Sequence, residues 1–229
     1  LHHRGHTHTV LFAIAGALVV WALALGVWRA LRVAHWSRPL LALSIVGTFS
    51  HLLLDYTNSY GVHPFWPVDT RWFYGDAVFI VEPWFWIVAL VPLCFIARRA
   101  AWRVVCALLL LAILAAAWRV DLVERGTAIA LTVGAIVWLA TMRLVAAQRR
   151  LPLALLGWLA LEGMFFAAAS AGRRTVRESV GAEFRDVVLA PSPGNPLCIS
   201  ALVVTEGGGM YRAAAATVAP APWLRTVAD

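Results

Sequence analysis

Six apolar runs govern what this chain can fold into: 9–34, 38–54, 79–97, 101–120, 127–147 and 153–171. A helix that crosses a bilayer needs roughly 20 apolar residues. Five of the runs are about that long or longer. The second is short and carries His51 at its C-terminal end. Each run is apolar around its whole circumference, as suits helices that face lipid and one another. The expected fold class is therefore an all-α polytopic membrane protein with about six transmembrane helices. Composition agrees, because 62% of the residues are hydrophobic and 14% charged, against roughly half and a quarter in soluble domains. The 12 Trp fit as well, since indole favours the membrane–water boundary.

Charge in the connections tests this reading. Arg29, Arg32 and Arg38 lie between the first two runs, Arg98, Arg99 and Arg103 between the third and fourth, and Arg143, Arg149 and Arg150 between the fifth and sixth. The alternate connections differ. Residues 55–78 carry Asp55, Asp69 and Asp76 against Arg71, and 119–126 is neutral. Every second connection is basic, which is the pattern of a cytoplasmic side. The N-terminal histidines, the 55–78 loop and the C-terminal segment then fall outside the cell membrane. A multi-pass inner-membrane protein is expected, with the lipid bilayer as its first partner.

The same assignment accounts for the net charge of +7 without nucleic acid, and no nucleic-acid partner is expected. Cys94, Cys106 and Cys198 form neither a disulfide framework nor a zinc-ribbon spacing. No basic segment precedes the first apolar run, so no signal peptide is read. A chain that opens on Leu1 is expected to begin inside a longer protein. Past 171 the composition turns polar, and short β-prone runs at 187–190 and 199–205 are broken by Pro and Gly. Two regions are expected: a helical membrane domain over 1–171 and a small β-rich extramembrane segment over 172–229, which the given sequence is expected to leave incomplete at Asp229.

Polar residues gather where this topology puts the outer ends of the helices. "HHRGHTH" (2–8) precedes the first run, His51 and Asp55 end the second, Asn58, Asp69 and Asp76 lie in the loop, and Glu82 stands near the start of the third. Residues four apart share one helix face, so His51 and Asp55 can approach one ion. Imidazole and carboxylate suit zinc or manganese. The expected metal ligands are His3, His8, His51 and Asp55. Glu82 or Asp76 would serve as general base, with Glu82 as a possible further ligand, and Arg4 would orient an anionic group. Each feature also has a plainer reading. The histidines fit a solvated tail, His51 and Asp55 a hydrogen-bonded pair, and Glu82 a helix N-terminus. Asp69 and Asp76 fit loop solvation, Asn58 and Gly61 a turn, and Arg4 an interfacial anchor. Glu162, inside the sixth run, is ionisable at membrane depth; it is expected to be protonated or paired with Arg143 or another helix.

Two of these blocks carry a family resemblance. "HRGHTHTVLFA" resembles the HRG-x-TH-[ST] motif of the YdjM-like membrane-bound metal-dependent hydrolases. "HLLLDYTNSYGVHPFWPVDTRWFYGDAVFIVEPWFW" is similar to their second block, H-x-x-x-D followed by N-x-Y-G and an acidic-Pro pair. "PSPGNPLC" is similar to a segment of one branch. The main blocks span residues 3–86. The resemblance implies that His3, Arg4, Thr7 and His8 match the first motif, and His51, Asp55, Asn58, Tyr60, Gly61, Asp76 and Glu82 the second. It also implies a divalent metal and a hydrolytic reaction. Two departures stand out. Glu82 occupies a position where Asp is usual, and the preceding helix with a P-D-x-D motif has no counterpart here, so the site carried by this sequence is expected to be incomplete.

These readings lead to the expectation of a membrane-embedded hydrolase of an ester or phosphoester, such as a lipid-like one, acting at the outer interface. Trp66, Trp72, Phe73, Trp84 and Trp86 would receive an apolar tail. The rivals are an envelope scaffold with a structural metal, and an ion or solute transporter.

Overall fold

The computed structural model describes residues 7–30 and 37–221. Among them the chain forms six α-helices: α1 (Val10–Ala30), α2 (Ser37–Thr57), α3 (Pro83–Ile96), α4 (Ala100–Arg119), α5 (Arg125–Leu144) and α6 (Ala147–Val180). Strands β1 (Phe184–Ser192), β2 (Asn195–Gly207) and β3 (Met210–Val218) follow. The expected class holds, with one correction. Five helices are long and apolar enough to cross a membrane, and the third is not among them. With 14 residues, α3 rises about 21 Å, short of a roughly 30 Å hydrocarbon core. The apolar run 79–97 read as a full span because residues 79–81 are apolar but not helical. Conversely, α2 is longer than its run, because Tyr56 and Thr57 continue the helix past Asp55.

Lipid as solvent explains the surface. Leu23, Leu43, Val46 and Leu108 are each at least 60% exposed, an arrangement that water would penalise and acyl chains do not. Three hydroxyls of α2 are satisfied within the helix: Ser44 donates to the Leu40 carbonyl, Thr48 to Ser44 and Ser50 to Gly47. Each turns its hydroxyl back on its own turn instead of presenting it to hydrocarbon.

The chain divides into two compact units, residues 1–76 and 77–229. In the first, α1 and α2 pack antiparallel. Ala13 shares a cluster with Leu52 and Val62, and Trp21 Nε1 donates to the Ser37 carbonyl near the other end. Thr9 caps α1, its Oγ1 accepting from Phe12 N–H at 3.1 Å; such a cap contributes about 1 kcal/mol. The loop after α2 is a built structure. Val62 and Phe73 exchange backbone hydrogen bonds of 2.9 and 2.7 Å, and Val10 N–H donates to the Pro64 carbonyl. The loop therefore grips the start of α1.

In the second unit, Ile87, Val91, Leu131, Ala135 and Met142 form the core of α3 and α5 with Ala117 of α4. Gly134 leaves room for the Trp84 ring, which a Cβ there would meet at 2.4 Å. Helix α6 runs 34 residues, about 51 Å, and continues without a break across the composition change at 171. The antiparallel sheet, ordered β1-β2-β3, packs on its far half: Phe165, Ala169 and Val176 meet Val187, Leu189, Ile199 and Val218. The expected strand runs at 187–190 and 199–205 lie inside β1 and β2. Gly208 and Gly209, with φ of +61° and +77°, supply the tight β2–β3 turn.

Candidate functional site

Two residues before α1, His8 meets the C-terminal part of α2. Its Nε2 lies 2.7 Å from Asp55 Oδ2, and His51 Nε2 lies 3.5 Å from the same oxygen. The two imidazole centroids are 5.6 Å apart. One donor atom from each of His8, His51 and Asp55 lies within 4.8 Å of the others. Local rules produce this geometry. The i, i+4 spacing puts His51 above Asp55, and the Thr9 cap fixes where the chain enters α1. Thr7 Oγ1 lies 2.8 Å from His8 Nδ1, leaving Nε2 turned to Asp55. A hydrogen bond on the far ring nitrogen is how metal-binding imidazoles are usually oriented.

The donor set fits a divalent cation. A tetrahedral ion with bonds of about 2.0–2.2 Å holds its ligands about 3.4 Å apart. The His51–Asp55 separation is already close to that, and His8 would move outward by less than about 1 Å. His8 and Asp55 are 15% exposed and His51 is 70% exposed, so one side of the cluster opens outward.

The loop holds the other acidic candidates differently. Asp76 is buried and sits at φ +49°, a region that non-glycine residues rarely adopt. Its N–H donates to the Asn58 carbonyl and that of Gly75 to Tyr56, which pins the residue to the end of the helix bearing Asp55. Asn58 Oδ1 accepts from Tyr60 N–H, and Gly61 turns at φ +73°. Asp69 has the plainer role: Arg71 Nε donates to Oδ2 at 2.8 Å and Arg71 N–H to Oδ1, an exposed pair within the loop. The guanidinium holds the Asp69 carboxyl below its ordinary range.

Glu82 belongs to the second unit and caps α3. Oε1 accepts from Trp84 N–H at 3.3 Å and Oε2 from Gly194 N–H at 3.0 Å. Trp84 Nε1 completes the clasp by donating to the Gly194 carbonyl. The "PSPGNPLC" segment is thus the β1–β2 turn, held against the start of α3. Burial raises the Glu82 carboxyl from 4.5 to about 7, although both N–H bonds oppose the shift. The fold therefore binds this proton more tightly than the unfolded chain does. The contribution is full below about 4.5 and is lost as pH rises through about 7, on the order of 3 kcal/mol. Glu82→Gln is expected to flatten that slope in a pH series of thermal unfolding in detergent.

Of the remaining candidates, His3 and Arg4 lie outside the described residues. Glu162 Oε2 is buried with no hydrogen bond among the described residues, so no Arg143 pairing is seen there. Sequence reasoning missed Thr9, Gly75 and His63. Thr9 is fully buried, and a Thr directly ahead of an apolar run was the available signal. His63 is buried with its ring 4.4 Å from that of Trp72; nothing in "GVHPF" set it apart from an exposed loop histidine.

A family model described as YdjM inner membrane protein matches residues 1–123. The chain belongs to the YdjM family. The match includes both units' first elements and every residue of the His8, His51 and Asp55 cluster, and it ends just after α4. With five candidate spans, this YdjM-family chain is a multi-pass inner-membrane protein. Helices α5 and α6 and the sheet lie beyond the matched residues. No curated protein and no solved structure matches the chain.

Proposed function

We propose that the chain is a membrane-embedded, metal-dependent hydrolase that cleaves an ester or phosphoester at the outer membrane–water interface. The observation that carries this reading is the meeting of His8, His51 and Asp55 from two helix ends on one small volume. Two imidazoles and a carboxylate suit zinc or manganese. A divalent ion held there would polarise the ester or phosphoryl oxygen and acidify water.

The chain's own residues supply the rest. Thr7 orients His8, and Asp55 aligns both imidazoles. Asp76 brings a buried carboxyl to the loop that follows Asp55. A Glu82 carboxyl held near 7 has the proton affinity that acid–base work at neutral pH requires. His3, Arg4 and Glu82 enter the reading through their motifs alone. Phe65, Trp72 and Tyr74 are exposed on the loop of the first unit and give an apolar tail a surface to lie on. The exposure of His51 favours an open centre over a closed structural one. With the basic connections placed in the cytoplasm, this end of α1 and α2 faces outward.

Elemental analysis of the purified full-length protein is expected to find stoichiometric zinc or manganese. Hydrolysis across a panel of phospholipids and phosphoesters should then disappear with chelator and return with the metal. Background metal content, or hydrolysis indifferent to chelator, sinks the proposal. Tightly held metal with no hydrolysis of any substrate would point to the structural role.

A further inference from the structure

We infer that a cavity between the end of α6 and β1 binds a phosphate group, and that its position favours a lipid headgroup as the source. The cavity measures about 360 Å³ and is lined by Ser170, Arg173, Arg174, Arg177, Arg185 and Asp186 with Phe184 and Val187. Its size falls within the range of small-ligand clefts, roughly 300–1,000 Å³. Four guanidinium groups and one carboxylate line the cavity, and Arg174 and Arg177 carry its excess positive charge.

The arginines come from two elements that cannot drift apart, since α6 and β1 share one core. On α6, residues 173, 174 and 177 fall at i, i+1 and i+4, which brings 177 beside both of the others. Two of the groups are braced. Arg173 Nη1 donates to the Val187 carbonyl at 3.0 Å, and the Arg177 guanidinium lies 5.2 Å from the Phe184 ring centre. Arg185 is already paired, and the lining carboxylate has a backbone donor of its own. Glu206 accepts from Arg185, and Asp186 Oδ1 accepts from Val187 N–H. Arg174 and Arg177 have no ion pair among the described residues. A multiply charged oxyanion answers such an arrangement, because planar guanidinium forks match phosphoryl oxygens.

Depth selects the source. Arg150, in the first turns of α6, and Arg173 are separated by about 34 Å of helix, close to the roughly 30 Å apolar thickness of a bilayer. The cavity therefore stands at headgroup level at the end of α6 opposite Arg149 and Arg150. Basic residues normally concentrate on one side of a membrane. A second cationic cluster at the other end of the same helix runs against that bias, and a local anion accounts for it. The inference uses residues of the second unit only and does not depend on the metal centre.

The test is binding to the purified full-length protein in detergent, read by calorimetry. The probes are water-soluble dihexanoyl phosphatidate, inorganic phosphate and dihexanoylglycerol. Saturable phosphatidate binding is expected, none with dihexanoylglycerol, and at least about tenfold weaker binding in Arg174→Ala/Arg177→Ala. Both side chains are exposed, and unchanged thermal unfolding will confirm the fold. If the double variant unfolds early, Arg174→Gln alone should still weaken binding. Phosphatidate that millimolar inorganic phosphate cannot displace identifies the lipid as ligand. Displacement by inorganic phosphate supports the phosphate site with a soluble source. No saturable binding of either anion, or equal affinity in wild type and variants, overturns the inference.

Discussion

Asp55→Ala is expected to abolish the divalent-metal binding proposed for the His8, His51 and Asp55 cluster. His8 and His51 both approach Asp55 Oδ2, at 2.7 and 3.5 Å. Among the described residues its removal takes away the anionic member of the cluster. Loss of an outer-shell partner already weakens metal binding by roughly 10–100-fold, and loss of a carboxylate ligand should exceed that. His51→Ala should fall below it, because His51 is largely exposed and its departure leaves the His8–Asp55 pair intact. Metal content and competition with a chelator, measured on both variants in detergent, give the order. Equal metal retention in Asp55→Ala and wild type would remove this cluster from consideration. Thermal unfolding controls for the fold, since Asp55 is largely covered but lies outside the Ala13–Leu52–Val62 core.

Gly75→Ala is expected to be the most damaging single-methyl change in the first unit. A Cβ at this position would stand 2.4 Å from the Tyr56 carbonyl oxygen and 2.9 Å from Thr57 Cα. Both are backbone atoms of α2, so neither can turn aside. Gly75 N–H also donates to that Tyr56 carbonyl at 2.8 Å, so the clash and the hydrogen bond compete for one place. Overpacking of side chains commonly costs about 1–3 kcal/mol, and a clash with backbone should lie at or above the upper end. Gly61→Ala makes the comparison. Its added Cβ would come just as close, 2.4 Å, but to the Tyr74 ring, and Tyr74 is 49% exposed and can swing away. The remaining cost there is the left-handed backbone at φ +73°, about 1–2 kcal/mol. Expression level and unfolding temperature should therefore fall further for Gly75→Ala than for Gly61→Ala. The reverse order would mean that the 56–76 loop is not anchored as described.

Legibility varied with the range of the interaction. Runs of about 20 apolar residues announce spanning helices because lipid forces every backbone group to be satisfied within the segment. The exception, α3, shows the limit: hydropathy at 79–82 could not reveal that Glu82 caps the helix and starts it late. The same residue shows why a motif underdetermines a role. Its acidic-Pro pattern fits a site carboxylate, and Pro83 at the first helical position fits a cap; the structure shows both oxygens bonded to backbone N–H groups, one of them 112 residues away in sequence.

Sequence alone determined the membrane class, most helix positions, the His51–Asp55 pairing on one turn and the β character of the C-terminal segment. Each follows from local periodicity or from the solvent the segment must face. Only tertiary structure decided how closely His8, already grouped with that pair by the sequence reading, meets Asp55, that Asp76 is held in a left-handed turn beside the end of α2, that the β1–β2 turn is clasped by Glu82 and Trp84, and that four arginines line one cavity. Those outcomes depend on which distant side chains fill the same space, and no spacing along the chain encodes that.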